Sequence, residues 1–187
     1  ITSFLRNPSL TAGVQGLLDE RGGLVLGICN GFQALTKLGL VPFGKISEPG
    51  TETPTLTFNT IGRHQSRISR VRVVNNASPW LSKINEGDVF TVPISHGEGR
   101  ITAGESEWER LKAAAVTQYV DVAGNPLMDI SVNPNGGLFA LEGIMSEDGR
   151  VLGKMGHSER ISASTYKNVP GEYDMKLFES AAEYFRK

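Results

Sequence analysis

The residues best suited to chemistry are Gly27-Ile28-Cys29-Asn30-Gly31-Phe32, which hold the only cysteine of the chain. Cys29 stands where an apolar run, Leu24-Val25-Leu26, meets a run of helical character from Phe32 to Leu38. A side chain at a sharp strand-to-helix turn, with small residues two before and two after it, has the form of a nucleophile elbow. Here the pattern is G-x-C-x-G, so a thiol takes the place of a serine hydroxyl. Glycines have no Cβ, so strand and helix can close together and a strained turn can project its central side chain. A helix N-terminus beneath the sulfur favours the thiolate through its dipole and free N–H groups. The competing reading is a small buried core cysteine. The flanking glycines at this junction favour the nucleophile.

A thiolate nucleophile needs a base, and usually a third group that orients the base. Three histidines are available: His64, His96 and His157. His64 lies in a polar stretch, Gly62-Arg63-His64-Gln65, and reads as solvated. His96-x-Glu98 and His157-x-Glu159 share one form, a carboxylate two residues past an imidazole, directly after a strand. Residues i and i+2 of an extended chain face the same side, so either carboxylate can fix the tautomer of its imidazole. Spacing alone does not choose between them, and a turn histidine bonded to backbone is the plain alternative for each.

These groups must be held by elements. Leu10, Val14, Leu17 and Leu18 repeat at helical spacing before Gly22-Gly23. Leu24 to Ile28 reads as a buried parallel strand. Phe32, Leu35 and Leu38 stripe the next helix, which Gly39 stops. Val41 to Pro54 carries three prolines and reads as loop. Strands are expected near Thr55 to Asn59, Ile68 to Val74, Asp88 to Ser95 and Val116 to Val122. Ser78-Pro79-Trp80-Leu81 opens a short helix, and Ser106-Glu107-Trp108-Glu109 has capping-box spacing for another ending at Ala115. Asn133-Pro134-Asn135-Gly136-Gly137 is a turn cluster. Leu138 to Met145 and Arg150 to Met155 flank a hairpin turn, and the second arm leads to His157. A last helix, Met175 to Phe185, places Met175, Phe178, Ala182 and Phe185 on one face before the basic end Arg186-Lys187.

The bulk numbers suit a single α/β domain: 187 residues, 39% hydrophobic, 21% charged and 22 glycines. A net charge of −1 argues against nucleic acid or an anionic membrane as main partner. One cysteine excludes an internal disulfide framework and a cysteine-rich zinc site. No apolar run approaches the roughly 18 residues that span a bilayer. A reducing, cytoplasmic setting follows. The chain starts at Ile1 without a preceding strand, which suggests a domain shortened at its front.

Taken together, the motifs carry a family likeness. Ile28-Cys29-Asn30-Gly31-Phe32-Gln33-Ala34-Leu35, Pro93-Ile94-Ser95-His96-Gly97-Glu98-Gly99-Arg100, Asn133-Pro134-Asn135-Gly136 and His157-Ser158-Glu159-Arg160 resemble, in that order, the class I (triad) glutamine amidotransferases. The likeness is closest to the glutaminase domains of phosphoribosylformylglycinamidine synthases and runs from about Leu10 to the end. The resemblance implies a three-layer, flavodoxin-like α/β fold with a mixed, mostly parallel sheet lacking its first strands. It implies a triad of Cys29, His157 and Glu159, with the Asn30 N–H as an oxyanion donor. Gln33 and the segment His96-Gly97-Glu98 match positions that hold L-glutamine. The implied reaction is hydrolysis of glutamine to glutamate and ammonia through a cysteinyl thioester. Ammonia then passes to a synthetase domain of the same enzyme, in de novo purine synthesis. ATP and Mg²⁺ belong to that partner. No cofactor or metal is expected here, and no phosphate loop of the form G-x-x-x-x-G-K-[ST] occurs.

Two departures from the family pattern bear on activity. Most relatives have proline where this chain has Ser158, which loosens the backbone between His157 and Glu159. Relatives also carry a front portion before Ile1, whose glycine-rich loop gives a second oxyanion N–H. Without one such donor the rate falls by about 10²–10³, so the isolated chain is expected to be weakly active or inactive. A glutamine-binding regulatory module, or a cysteine amidase of other specificity, are the alternatives.

Overall fold

The computed structural model describes residues 1–162 and 164–186. Lys187, part of the expected basic end, lies outside the described residues. The chain runs α1 (Thr2–Leu5), α2 (Pro8–Asp19), β1 (Val25–Ile28), α3 (Asn30–Lys37), the broken turn α4 (Leu40–Phe43), β2 (Thr55–Phe58) and β3 (Gln65–Val73). It continues with β4 (Val89–His96), β5 (Glu98–Thr102), α5 (Trp108–Ala113), β6 (Ala115–Val120), β7 (Leu141–Met145), β8 (Val151–Lys154) and α6 (Leu177–Tyr184). Single 3₁₀ turns at Pro79–Leu81, Glu105–Glu107 and Leu138–Ala140 connect them.

Six strands form one sheet in the order β1-β8-β7-β6-β3-β4, and β2 pairs with β5 in a small second sheet. The sheet separates two apolar layers because neighbouring side chains on a strand face opposite sides. Val151 packs with Phe32, Leu35 and Leu38 on the α3 side, while Leu152 packs with Trp80, Met175 and Leu177 on the other. The α/β reading with a mixed sheet therefore holds. The expected majority of parallel strands does not: β1 and β8 run parallel, and the other neighbouring pairs run antiparallel. The short turn between β7 and β8 forces antiparallel neighbours, since a parallel return needs a long crossover, while β3 and β4 pair antiparallel across a longer link that holds the Pro79–Leu81 turn.

Several other expectations need correction. Leu24 to Ile28 is half-buried, not fully buried, because β1 pairs on one side only. The segment after His96 is a strand, β5, which a single residue, Gly97, divides from β4. The expected capping box is absent: Ser106 lies inside the 3₁₀ turn, and Glu107, the N-cap of α5, makes no side-chain cap bond. On α6 the buried residues are Leu177 and Ser180, while Phe178 and Phe185 are exposed. Helical periodicity alone could not tell which stripe meets the core. Within α4, Val41 is extended, so the proline-rich segment is mostly irregular as expected.

Candidate active site

Cys29 ends β1 and caps α3, with φ 53° and ψ −108°. This is a strained conformation for a side chain with a Cβ, and such outliers cluster at functional sites. Two contacts hold it. The Cys29 N–H donates to the Lys154 carbonyl at 2.9 Å, carrying the β1–β8 pairing one residue beyond the strands. The Gln33 N–H donates to the Cys29 carbonyl at 3.1 Å, the first bond of the helix. The two glycines of the elbow are not equivalent. A Cβ on Gly27 would stand 2.7 Å from the Gly31 carbonyl carbon and 2.5 Å from Leu35 Cδ1, whereas one on Gly31 would meet nothing within 4 Å.

The sulfur is half-buried, and burial raises the Cys29 pKa above its ordinary value. A bond from the Asn30 N–H and the charge of Arg160 pull it back down, and Glu159 pushes it up. The helix N-terminus thus acts in the expected direction, but desolvation outweighs it. The resting group is a thiol that needs a base at the moment of attack.

β8 runs beside β1 in the same direction, so the chain beyond Lys154 emerges at the same end of the sheet as Cys29. That chain delivers His157. Its Nδ1 lies 2.6 Å from Glu159 Oε1. Its Nε2 is buried and has no partner among the described residues. A ring that donates from Nδ1 to a carboxylate presents a lone pair at Nε2. The His157 N–H donates to the Pro93 carbonyl at 2.8 Å, on the open side of β4. Proline suits that edge strand, since it has no N–H to leave unpaired.

His96 ends β4 and is buried, with both ring nitrogens unpartnered among the described residues. Its pKa is lowered to about 4, first by burial and then by the nearby His157. The chain fixes the following turn through Asn59. The Asn59 side chain donates to the His96 carbonyl at 3.0 Å and accepts from the Gly99 N–H at 3.1 Å, and the Asn59 N–H donates to the Gly97 carbonyl at 2.9 Å. Gln33 Nε2 donates to the Glu98 carbonyl at 2.5 Å, tying the elbow helix to β5. The structure thus joins Gln33, on the elbow helix, to the segment His96-Gly97-Glu98 through the Glu98 carbonyl. His64 is exposed, as expected, with Nε2 3.1 Å from Ser95 Oγ.

Sequence reasoning missed a buried polar cluster next to this segment. Asn135 Nδ2 donates to Tyr119 Oη at 3.1 Å, and Asn135 Oδ1 is buried without a partner among the described residues. A Cβ on Gly99 would stand 2.5 Å from the His96 ring and 2.8 Å from Asn135 Nδ2, which places these two side chains together. The Asn133-Pro134-Asn135-Gly136 motif was the available signal. Unpartnered buried polar atoms at His96, Asn135 and His157 are the groups a polar ligand would satisfy. Among the described residues, no cluster of three or more His, Cys, Asp or Glu side chains could hold a metal ion. A concavity of about 550 Å³ lined by Pro42, Phe43, Arg110 and Met145 opens at the far end of β7, and no histidine or cysteine lines it.

The His96 environment has a consequence for stability. In the unfolded chain the imidazole takes its proton near 6.5, in the folded chain only near 4. Between these values the unfolded state binds more protons, so stability falls as the pH drops from about 6.5 to about 4, by up to about 3 kcal/mol. Urea melts across this range will show that loss, and His96→Gln will flatten the profile. A His96→Gln profile as steep as the unaltered one contradicts the assignment.

The CobB/CobQ-like glutamine amidotransferase domain family matches residues 1–185. The chain belongs to this family. It is 37% identical over 162 residues to phosphoribosylformylglycinamidine synthase subunit PurQ of Salinibacter ruber, covering 86% of this chain and 63% of that one. It is 34% identical over 178 residues to the subunit of the same name from Aquifex aeolicus, covering 91% of this chain and 71% of that one. Among solved structures, PurLQS from Thermotoga maritima matches with TM-score 0.68 and 28% identity over 94% of this chain and 68% of that chain. The glutaminase domain of Trypanosoma brucei CTPS with bound acivicin matches at 14% identity with TM-score 0.51, over 97% of this chain and 78% of that one, a likeness of fold. This amidotransferase chain therefore spans about two thirds of the length of these PurQ relatives. No described helix is long and apolar enough to cross a membrane.

Proposed function

We propose that this amidotransferase domain hydrolyses L-glutamine to glutamate and ammonia. Cys29 is the nucleophile, His157 the proton carrier and Glu159 the group that orients it. The observation that carries the reading is the parallel β1–β8 pair, which delivers the strained cysteine and the Glu159-bound histidine at one end of the sheet. His157 Nε2 takes the thiol proton as sulfur attacks the side-chain carboxamide, in keeping with a sulfur whose resting form is the thiol. The Asn30 N–H, which already bonds to the sulfur, donates to the tetrahedral oxyanion. The imidazolium then protonates departing ammonia, and His157 next activates the water that cleaves the thioester. Gln33, His96, Gly97 and Glu98, joined by Asn135, form the wall that holds the amino-acid end of glutamine.

We further assign the ammonia to a synthetase that converts formylglycinamide ribonucleotide to its amidine. Support comes from the names of the PurQ relatives and from the PurLQS structural neighbour. ATP and Mg²⁺ act on the synthetase side. We assign the reaction to the cytoplasm, where a catalytic thiol stays reduced.

Trapping tests the mechanism. Hydroxylamine added during turnover intercepts a thioester, so γ-glutamyl hydroxamate will accumulate as glutamate falls. A glutamine-like electrophile will label Cys29 once per chain, and glutamine will protect it. Protection without hydroxamate or ammonia identifies a binding module instead. Turnover of simple esters in preference to glutamine identifies a hydrolase of other specificity.

A further inference from the structure

A buried ion pair lies directly behind the histidine loop. Lys154 Nζ, on the last residue of β8, is 3.0 Å from Glu142 Oε1 on β7, with side-chain exposures of 2% and 0%. The same ammonium donates to the Gly156 carbonyl at 2.9 Å and to Ser158 Oγ at 3.0 Å. The same carboxylate accepts the Gly156 N–H at 2.5 Å, and its other oxygen accepts Thr117 Oγ1 at 2.5 Å. Ser158 Oγ in turn lies 3.1 Å from Met175 Sδ. The residues before and after His157 are therefore both bonded to the pair, while the Lys154 carbonyl holds the Cys29 N–H.

Burying two charges is expensive, and apolar residues of equal volume often fill such space at least as stably. Stability alone does not account for the arrangement. We propose that Glu142 and Lys154 are positioning residues that hold His157 in register with Cys29. Ser158 serves as the loop's anchor, its hydroxyl held between Lys154 Nζ and Met175 Sδ. The serine expected to loosen this loop has its hydroxyl held from two sides. This inference rests on the proposed roles of Cys29 and His157.

The test uses three variants of the intact protein. Glu142→Leu with Lys154→Met removes both charges and keeps the volume. Ser158→Ala removes only the anchor, and Ser158→Thr retains a hydroxyl. The double variant takes these partners from the Gly156 N–H and carbonyl and from the Thr117 and Ser158 hydroxyls, so its melting temperature is expected to fall while it stays folded. Its kcat for glutamine falls about 10–100-fold at nearly constant KM, since small misplacements of catalytic groups act on this scale. Ser158→Ala is expected to lose about 3–10-fold in kcat, and Ser158→Thr to recover it. The Cε1–H resonance of His157 will broaden and move in the double variant and in Ser158→Ala, without any substrate present. Should the double variant misfold, Ser158→Ala against Ser158→Thr decides the question. Unchanged kcat and an unchanged His157 resonance in folded Ser158→Ala or in the folded double variant overturn the proposal. An unaltered protein without glutaminase activity instead overturns the functional reading, and the resonance comparison still decides the positioning role.

Discussion

Cys29→Ala will abolish glutamine hydrolysis, with kcat falling by about 10⁴–10⁶ while the protein remains folded and binds glutamine. The size of the loss follows from the chemistry. Every later step begins from the thioester, and an alanine leaves His157 with no nucleophile to activate. Stability is expected to change little, because the sulfur is only half-buried and the φ of 53° strains alanine and cysteine alike. Binding survives because the wall of Gln33, His96, Gly97 and Glu98 rests on Asn59 and on backbone bonds, none of which involve the sulfur. The measurements are ammonia release in the steady state and glutamine binding by calorimetry, both on the intact protein. A variant that keeps more than about a hundredth of the rate excludes Cys29 as the nucleophile. A variant that loses binding together with turnover shows that the sulfur's role is structural.

The sequence made the elbow legible because its geometry is local. Gly27, Cys29 and Gly31 lie within five residues, and the change from apolar run to helical stripe occurs between them. The His157–Glu159 contact was legible for the same reason, the two lying two residues apart, although the extended chain expected there is a turn: the Arg160 N–H donates to the His157 carbonyl at 3.1 Å, and the ring meets the carboxylate at 2.6 Å. Choosing His157 over His96 was not possible from spacing, since both sit at strand ends next to carboxylates. What separates them is topology. His157 leaves the strand that runs parallel to β1, and His96 leaves an edge strand held by Asn59. The parts that sequence did not reveal are those made by distant residues. Lys154 and Glu142 each read as an ordinary charge in a strand, and only the antiparallel register Gly143↔Lys154 brings them together. β5 escaped notice because Gly97 parts it from β4 and Gly99 breaks its pattern, and its partner, β2, lies some forty residues earlier. The buried stripe of α6 was misread because Phe178 and Phe185 repeat as regularly as Leu177 and Ser180.

Gly27→Ala will damage both fold and activity, in contrast to Gly31→Ala four residues away. A methyl at 27 would stand 2.7 and 2.8 Å from the Gly31 carbonyl carbon and oxygen, and 2.5 Å from Leu35 Cδ1. The leucine end can rotate, but the carbonyl cannot move without the whole first turn of α3. Overpacking of this kind costs about 3 kcal/mol, which lowers the melting temperature of a chain this size by about 6–12 °C. To relieve the contact, α3 must lift off β1 and carry Cys29 with it. A displacement near 1 Å at a reacting atom lowers turnover about 100-fold. Gly31→Ala meets no neighbour within 4 Å and sits in the helix, where alanine is favoured over glycine by up to about 1 kcal/mol. It is therefore expected to leave stability unchanged or slightly improved. Thermal melts and ammonia release on the two variants side by side check the contrast. Equal melting temperatures for both refute the claim that contact between strand and helix at Gly27 sets the elbow, because the two substitutions add the same atoms and differ only in what those atoms meet.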